Sequence, residues 1–159
     1  MQLNRVTKAT NRVPIRNALI SVADKSDLER LMRGLWDFSP DLVVYSTGGT
    51  LKQITQIAER HDRTNRVVPL SEYTGQPEMQ GGLVKSLDWR IYLGLLSEQF
   101  NPVHQQDLEQ HNAVAFDLTV CNFYPFEAAV SESGSTIEDA RTHIDIGGPC
   151  MIRASAKNY

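Results

Sequence analysis

The sequence predicts an α/β fold built on a doubly wound, mostly parallel sheet. Short apolar runs typical of buried strands alternate with segments whose apolar residues recur at helical spacing. From residue 17 onward their order is strand, helix, strand, helix, strand, the pattern of parallel strands joined by crossover helices. Sheets of this class bind ligands at the carboxyl ends of their strands. The predicted strands end in polar or glycine-rich turns, so we expect a ligand site at that edge.

The first predicted strand covers residues 18–22, and a helix follows it. Apolar side chains recur at three- and four-residue intervals over residues 28–36, which indicates a helix with one buried face. Ser26 and Glu29 have the spacing of a capping box, which predicts the start of this helix near Ser26. Pro40 predicts its end, because proline cannot continue a helix.

The stretch 41–50 is the centre of the predicted fold. Residues 42–45 are apolar and partly β-branched, which is typical of a strand buried on both faces. The turn Ser46-Thr-Gly-Gly-Thr50 ends that strand, and a helix follows, with Thr50 and Gln53 at capping-box spacing. Such a turn offers free backbone N–H groups and the positive end of a helix dipole to an anion. Two interpretations stay open at this point: an anion site, or a tight turn that binds nothing.

The second half of the chain predicts a long loop and then further helices and a strand. Glycine and proline interrupt residues 71–90 at Gly75, Pro77, Gly81 and Gly82, which predicts a loop of functional length. A glycine pair also precedes the last helix and forms a second candidate anion cradle. The predicted elements are a strand at 67–70, a strand or buried helix at 91–96, a polar helix at 102–112, a strand at 118–122, a helix opened by a capping box of Ser135 and Glu138 and ending near Ile144, and a last helix to Ala156 that begins around Pro149.

Composition predicts one domain and excludes several function classes. Residues 1–16 are polar and aperiodic and are interpreted as an N-terminal arm, followed by a single α/β domain at 17–159. The net charge of −3 argues against a nucleic-acid partner, and no apolar run is long enough to cross a membrane. Cys121 and Cys150 are interpreted as buried thiols of a cytoplasmic protein. The four histidines lack metal-ligand spacing, so we expect no metal.

Several motifs, taken in order, resemble those of a known family. The chain resembles the N-terminal IMP cyclohydrolase domain of the bifunctional AICAR transformylase/IMP cyclohydrolases. That resemblance implies a methylglyoxal-synthase-like three-layer sandwich. The motifs that carry it are ALISVADK at 18–25, STGGT at 46–50, SEYTGQPEM at 71–79, VK at 84–85, CNFYPF at 121–126, IDIGGP at 144–149 and RASAKN at 153–158.

The resemblance implies a ring-closing reaction in de novo purine biosynthesis. In 5-formamidoimidazole-4-carboxamide ribotide (FAICAR), the carboxamide nitrogen attacks the formyl carbon, water leaves, and IMP results. The activity is classed as a hydrolase acting on cyclic amidines, and it implies no cofactor and no metal. Both reacting groups share one molecule, so orientation lowers the barrier. The protein must then move protons and stabilise charge on the formyl oxygen.

The resemblance also implies roles for named residues. The implied catalytic set is Lys85 near the formyl group, with Tyr124, Asp145 and Lys157 as proton-relay and orienting groups. Each has a structural alternative: a solvated lysine, a core tyrosine or an aspartate that caps a helix. The implied substrate-binding residues are Ser21, Lys25, Thr47, Gly48 and Gly49 for the phosphate and ribose, and Ser86, Asn122 and Gly147 for the rest of the nucleotide.

The chain departs from the family pattern in one loop. Leu83 stands where the family has an arginine that reaches the substrate, and Asp88-Trp89, Tyr92 and Leu93 replace His-Pro, a histidine and a glycine. Leucine cannot pair with a phosphate, and the Asp88 carboxylate would repel one. Three functions therefore stay open: a cyclohydrolase that binds FAICAR or IMP, a non-catalytic purine-nucleotide-binding or interaction module, and a methylglyoxal-synthase-type lyase. The resemblance suggests a homodimer.

Overall fold

The computed structural model describes residues 8, 10–77, 79 and 83–158. Residues 1–7 of the predicted arm, Gly81, Gly82 and Tyr159 lie outside this range. Within it, strands β1 (Asn17–Ser21), β2 (Val43–Ser46), β3 (Val67–Pro69) and β4 (Leu118–Cys121) form one parallel sheet. The strand order is β3-β2-β1-β4, so the chain winds outward in both directions from β1. The predicted doubly wound parallel sheet is confirmed.

Eight α-helices and one short 3-10 helix are present in the part of the chain that the structure describes. The 3-10 helix Thr64–Arg66 leads into β3. The α-helices are α1 (Leu28–Phe38), α2 (Gly48–Arg60), α3 (Leu70–Thr74), α4 (Trp89–Leu96), α5 (Pro102–Gln110), α6 (Phe126–Ser131), α7 (Ile137–Thr142) and α8 (Gly147–Lys157).

Two apolar cores lie on opposite faces of the sheet because successive side chains of β1 point in opposite directions. Ala18 and Ile20 pack under α1 and α2, whereas Leu19 packs under α3, α4 and α8. All three side chains are fully buried. Burying a side chain the size of leucine stabilises the fold by about 1.5–3 kcal/mol. The result is a sandwich of three layers, with the sheet in the middle.

The ambiguous segment 91–96 is part of helix α4, and not a strand. Ile91 and Leu95, four residues apart, are both buried against the second face of the sheet, and a helix places such a pair on one side. The predicted loop 71–90 is shorter than expected, because α3 extends to Thr74 and α4 begins at Trp89. Leu70 belongs to α3, so β3 ends one residue earlier than predicted.

The predicted capping boxes are wrong at all three helices. Helix α1 has Asp27 as its N-cap residue and no side-chain cap, and α2 begins after Thr47, so Thr50 lies inside the helix. At α7 a capping box exists, but it is shifted by one residue to Thr136 and Asp139. Capping-box spacing identifies where a helix begins only roughly, because Ser and Thr hydroxyls have several backbone partners within reach.

Ile15 and Arg16, the last two residues of the predicted polar arm, contact the α/β domain. Ile15 packs against the core under α1, and its carbonyl oxygen accepts a hydrogen bond of 2.7 Å from the Ser39 hydroxyl. The Arg16 N–H donates to the Asp117 carboxylate at 2.9 Å. Within the described part of the chain, no helix has the length and apolar character needed to cross a membrane.

Candidate active site

The carboxyl ends of β1, β2 and β4 lie side by side and carry most of the candidate site. β1 pairs with β2 on one side and with β4 on the other, with Ser21 opposite Cys121. The chain continues from β1 towards one edge of the sheet, whereas β4 lies on the other side, which makes the β1–β4 boundary a topological switch point. Ligands of doubly wound proteins bind at such a boundary.

The turn between β2 and α2 presents the start of a 13-residue helix to this edge. Thr47 is extended, and its side chain does not cap the helix. The first N–H groups of an α-helix have no partner within the helix and carry the positive end of its dipole. Gly48 adopts a φ of +57°, a conformation that glycine adopts without strain. This turn therefore has the form of an anion site.

Two lysine side chains reach this helix end from different loops. The position that a Cβ on Gly48 would take lies 3.0 Å from Lys85 Nζ, and the equivalent position on Gly49 lies 4.0 Å from Lys25 Nζ. Lys25 Nζ also donates a hydrogen bond of 2.8 Å to the Ala23 carbonyl oxygen. Two ammonium groups beside the positive end of a helix strongly favour a phosphate-sized anion. This geometry suits an anion at the STGGT turn, and the assignment of these residues to substrate binding stays a prediction.

Lys85 is held in place by a compact turn and by its neighbour Ser86. The Leu87 N–H donates to the Val84 carbonyl oxygen at 2.9 Å, and Val84 has a φ of +54°, a strained value for a β-branched residue. Ser86 is buried against Gly147, where any larger residue would overlap its Oγ atom. The contact joins the Lys85 turn to the start of α8.

Asn122 connects β4 to the loop that follows β1. Its Oδ1 accepts hydrogen bonds from the N–H groups of Ala23 at 2.5 Å and Asp24 at 3.0 Å, and its Nδ2 donates to the Asp24 carbonyl oxygen at 2.9 Å. The Asp24 carboxylate accepts from the Ser26 N–H, and this hydrogen bond lowers the pKa of Asp24. Asn122 was predicted to bind substrate; in this structure its side chain positions the loop that carries Lys25.

Asp145 lies at the start of α8, where its Oδ1 accepts a hydrogen bond of 3.0 Å from the Gly148 N–H. The second candidate anion cradle, Gly147-Gly148, is thus occupied by the protein's own carboxylate and by Ser86. Burial and the nearby charge of Asp145 raise the pKa of the Cys121 thiol to about 11. Asp145 thus acts on the partly buried thiol of Cys121, the last residue of β4.

Tyr124 and Lys157 are the remaining members of the predicted catalytic set. Tyr124 is half-exposed, and its ring meets the edge of His143 with a centroid separation of 6.5 Å. Lys157 is the last residue of α8, about 15 Å along the helix from Gly147. Ser86, the neighbour of Lys85, contacts Gly147, and among the described contacts none joins Lys157 to these three residues.

Three residues that depart from the family pattern, Leu83, Asp88 and Trp89, lie in or just before the start of α4. Leu83 is 67% exposed, and Trp89 packs its ring against His111. The Asp88 carboxylate accepts from the Arg90 N–H at 2.8 Å and caps α4. The Asp88 carboxylate, which was expected to repel a phosphate, thus accepts a hydrogen bond from the backbone of its own helix. Across the described residues, no group of three or more His, Cys, Asp or Glu side chains could hold a metal ion.

The family model of the MGS-like domain matches residues 28–150. The chain belongs to the MGS-like domain family. The methylglyoxal-synthase-like fold that the motifs implied is confirmed, since the four-stranded parallel sheet and its flanking helices agree with this assignment.

Relatives of this MGS-like domain are bifunctional purine biosynthesis proteins named PurH. The protein from Rhodopirellula baltica is 44% identical over 147 residues, which cover 92% of this chain and 27% of that protein. The protein from Mycobacterium leprae is 45% identical over 148 residues, covering 93% of this chain and 26% of that protein. The chain thus spans about a quarter of the length of these relatives. A crystal structure of ForH matches 91% of this chain and 70% of its own, with a TM-score of 0.69 and 26% identity.

One residue of the site was assigned the wrong role from the sequence. Thr50 was predicted to cap α2, yet its hydroxyl bonds to the backbone of Val22, in the loop after β1. No sequence pattern indicates a partner 28 positions away. Only the pairing of β1 with β2 brings the two residues together.

Proposed function

We propose that this MGS-like domain binds a purine ribonucleotide and closes the ring of FAICAR to give IMP and water. The observation that carries the proposal is the convergence of Lys25 and Lys85 on the uncapped start of α2. A dianionic phosphate matches the backbone N–H donors of the helix start and the Lys25 ammonium, and Lys85 lies beside the same turn to act on the rest of the nucleotide. The purine biosynthesis role of the PurH relatives supports this choice of nucleotide.

The proposed reaction needs a group that stabilises the formyl oxygen as the carboxamide nitrogen attacks. The resemblance gives this role to Lys85, whose neighbour Ser86 contacts Gly147 at the start of α8; in this proposal Lys25, and not Lys85, is the partner of the phosphate. A bond forms between the carboxamide nitrogen and the formyl carbon, and the former formyl oxygen leaves as water after gaining protons. Tyr124 is exposed enough to reach a bound nucleotide and would transfer a proton, with Asp145 holding the start of α8.

The direct test measures IMP formation from FAICAR by absorbance. We expect wild-type turnover and a loss of at least about 100-fold in kcat for Lys85→Ala, since an electrostatic stabiliser of this kind contributes roughly that much. Arg33→Ala is the control for the loss of a surface cation, because Arg33 lies exposed on α1 and is not one of the predicted site residues. Equal rates for Lys85→Ala and wild type would contradict the proposed role of Lys85.

A second function, a nucleotide-binding module without catalysis, is favoured by two observations. Leu83 is exposed beside the site and offers no charge to a ligand. Lys157 lies at the far end of α8 from Gly147. Saturable binding of IMP with no turnover of FAICAR would support this function over ring closure. Absence of both binding and turnover would contradict both proposals for the isolated chain.

A further inference from the structure

The hydroxyl of Thr50 connects helix α2 to the loop after β1 through two hydrogen bonds. It donates to the Val22 carbonyl oxygen at 2.9 Å and accepts from the Val22 N–H at 3.1 Å. Thr50 is only 5% exposed and is the third residue of α2. One side chain thus satisfies both backbone groups of a residue outside its own helix.

These hydrogen bonds are the first of a series of contacts that begins at Thr50 of α2, runs through the loop after β1, and ends at Gly49 of the same helix. Val22 precedes Ala23, whose carbonyl oxygen accepts the hydrogen bond from Lys25 Nζ at 2.8 Å. Lys25 in turn places its ammonium beside Gly49, one residue before Thr50. The loop after β1 therefore contacts α2 at two neighbouring residues. Val22 is bonded to Thr50, and the Lys25 side chain lies beside Gly49.

We propose that Thr50 is a positioning residue that sets the place of Lys25 above the start of α2 and thereby the affinity for the nucleotide phosphate. The inference rests on the proposed nucleotide binding, but it does not need ring closure. A residue that only supported the fold would affect every ligand and the folding stability alike. A residue that positions Lys25 affects ligands that carry a phosphate and spares those that lack one.

A comparison of IMP with inosine separates these two roles, because the ligands differ only in the phosphate. Thr50→Val keeps the branched shape and removes both hydrogen bonds, whereas Thr50→Ser keeps the hydroxyl. Thr55→Val is the matched control, since Thr55 lies on the same helix and its hydroxyl donates to the Leu51 carbonyl oxygen of that helix at 3.0 Å. Binding would be measured by calorimetry after circular dichroism has verified folding.

We expect Thr50→Val to weaken IMP binding by about tenfold and inosine binding by less than about twofold, the difference that one charged contact makes. Thr50→Ser should stay within about threefold of wild type for both ligands, and Thr55→Val should match wild type. If wild type turns over FAICAR, Thr50→Val should raise KM and leave kcat unchanged, because Lys25 contributes uniform binding.

Two results would overturn the inference. One is an equal loss of IMP and inosine affinity in Thr50→Val; the other is a wild-type chain that binds IMP no better than inosine. If Thr50→Val does not fold, Thr50→Cys, which replaces the hydroxyl by a weaker S–H donor, should show the same selective loss to a smaller degree when it is compared with Thr50→Ser. A wild-type chain that prefers IMP but leaves FAICAR unchanged would refute ring closure alone, and a selective loss of IMP affinity in Thr50→Val would then still support the inference.

Discussion

Lys85 Nζ lies over Gly48, at 3.0 Å from the position that a Cβ on this glycine would take. Gly48 therefore serves two needs at once. Its φ of +57° turns the chain from β2 into α2, and its missing side chain leaves room for the ammonium. The backbone N–H groups of the helix start and the lysine reach the same small volume because of this one residue.

Gly48→Ala should lower both stability and nucleotide affinity. A left-handed alanine costs about 1–2 kcal/mol, and the new methyl group displaces the end of Lys85. Chemical denaturation and calorimetry with IMP would measure the two losses. Gly49→Ala is the comparison for stability, because its φ is not positive and its Cβ would meet Lys25 only at an ordinary 3.7 Å. Equal stability of the two variants would contradict the strain argument.

Gly94→Ala should destabilise the fold by about 3 kcal/mol, the upper end of the usual cost of overpacking. A Cβ at Gly94 would overlap the Val114 carbonyl oxygen and approach Phe116 Cδ2 to 2.9 Å. Gly34→Ala provides the opposite case, since Gly34 lies in α1 with nothing within 4 Å of its Cβ position. There we expect a gain of about 0.5–1 kcal/mol from helix propensity. Urea unfolding curves for both variants would check the contrast.

Cys121 should make the fold less stable in alkaline solution. Burial, and after it the Asp145 charge, raises the pKa of this thiol from 9.0 to about 11 in the folded protein. Between these two values the unfolded chain loses the proton and the folded chain keeps it, so stability falls as the pH rises through this window. The expected loss is about 1 kcal/mol, reduced because the thiol is only partly buried.

The effect of Cys121 would be measured by urea unfolding at several pH values from 8 to 11, an interval chosen around the pKa shift described above. Cys121→Ser lacks a group that titrates in this window, so its stability should decline less than that of wild type. A parallel decline of the two proteins would contradict the assignment. Alkylation of the Cys121 thiol by iodoacetamide should also be slow at neutral pH, because the thiolate is the reactive form.

Tyr92→Phe should leave stability at neutral pH unchanged or slightly higher. The Tyr92 hydroxyl is buried and has no hydrogen-bond partner of normal geometry among the described residues. Burial, with a smaller contribution from Cys150, raises the pKa of Tyr92 to about 12. Removing a hydroxyl that gains no hydrogen bond costs the fold little, within about 0.5 kcal/mol. A loss of more than about 1 kcal/mol in thermal unfolding would indicate a hydrogen bond that the structure does not contain.

The sequence predicted β1 and β2 well because the middle of each strand is apolar and buried. The run at 42–45 is apolar on both sides of the strand, which is typical of a strand covered on both faces of a sheet. The helix boundaries were less accurate. Ser26 and Ser135 had the spacing of helix caps, but a hydroxyl chooses among several nearby backbone groups, and that choice depends on how the chain has already folded.

The sequence by itself determined the parallel α/β class, the glycine turn at the end of β2 and the family to which the chain belongs. Each of these follows from local pattern: apolar period, turn residues and ordered motifs. The tertiary structure was needed to show that Lys25 and Lys85 meet at the same helix end and that the Thr50 hydroxyl bonds to Val22. These contacts join residues far apart in the chain, and for Thr50 and Val22 the register of β1 against β2 brings the two residues together.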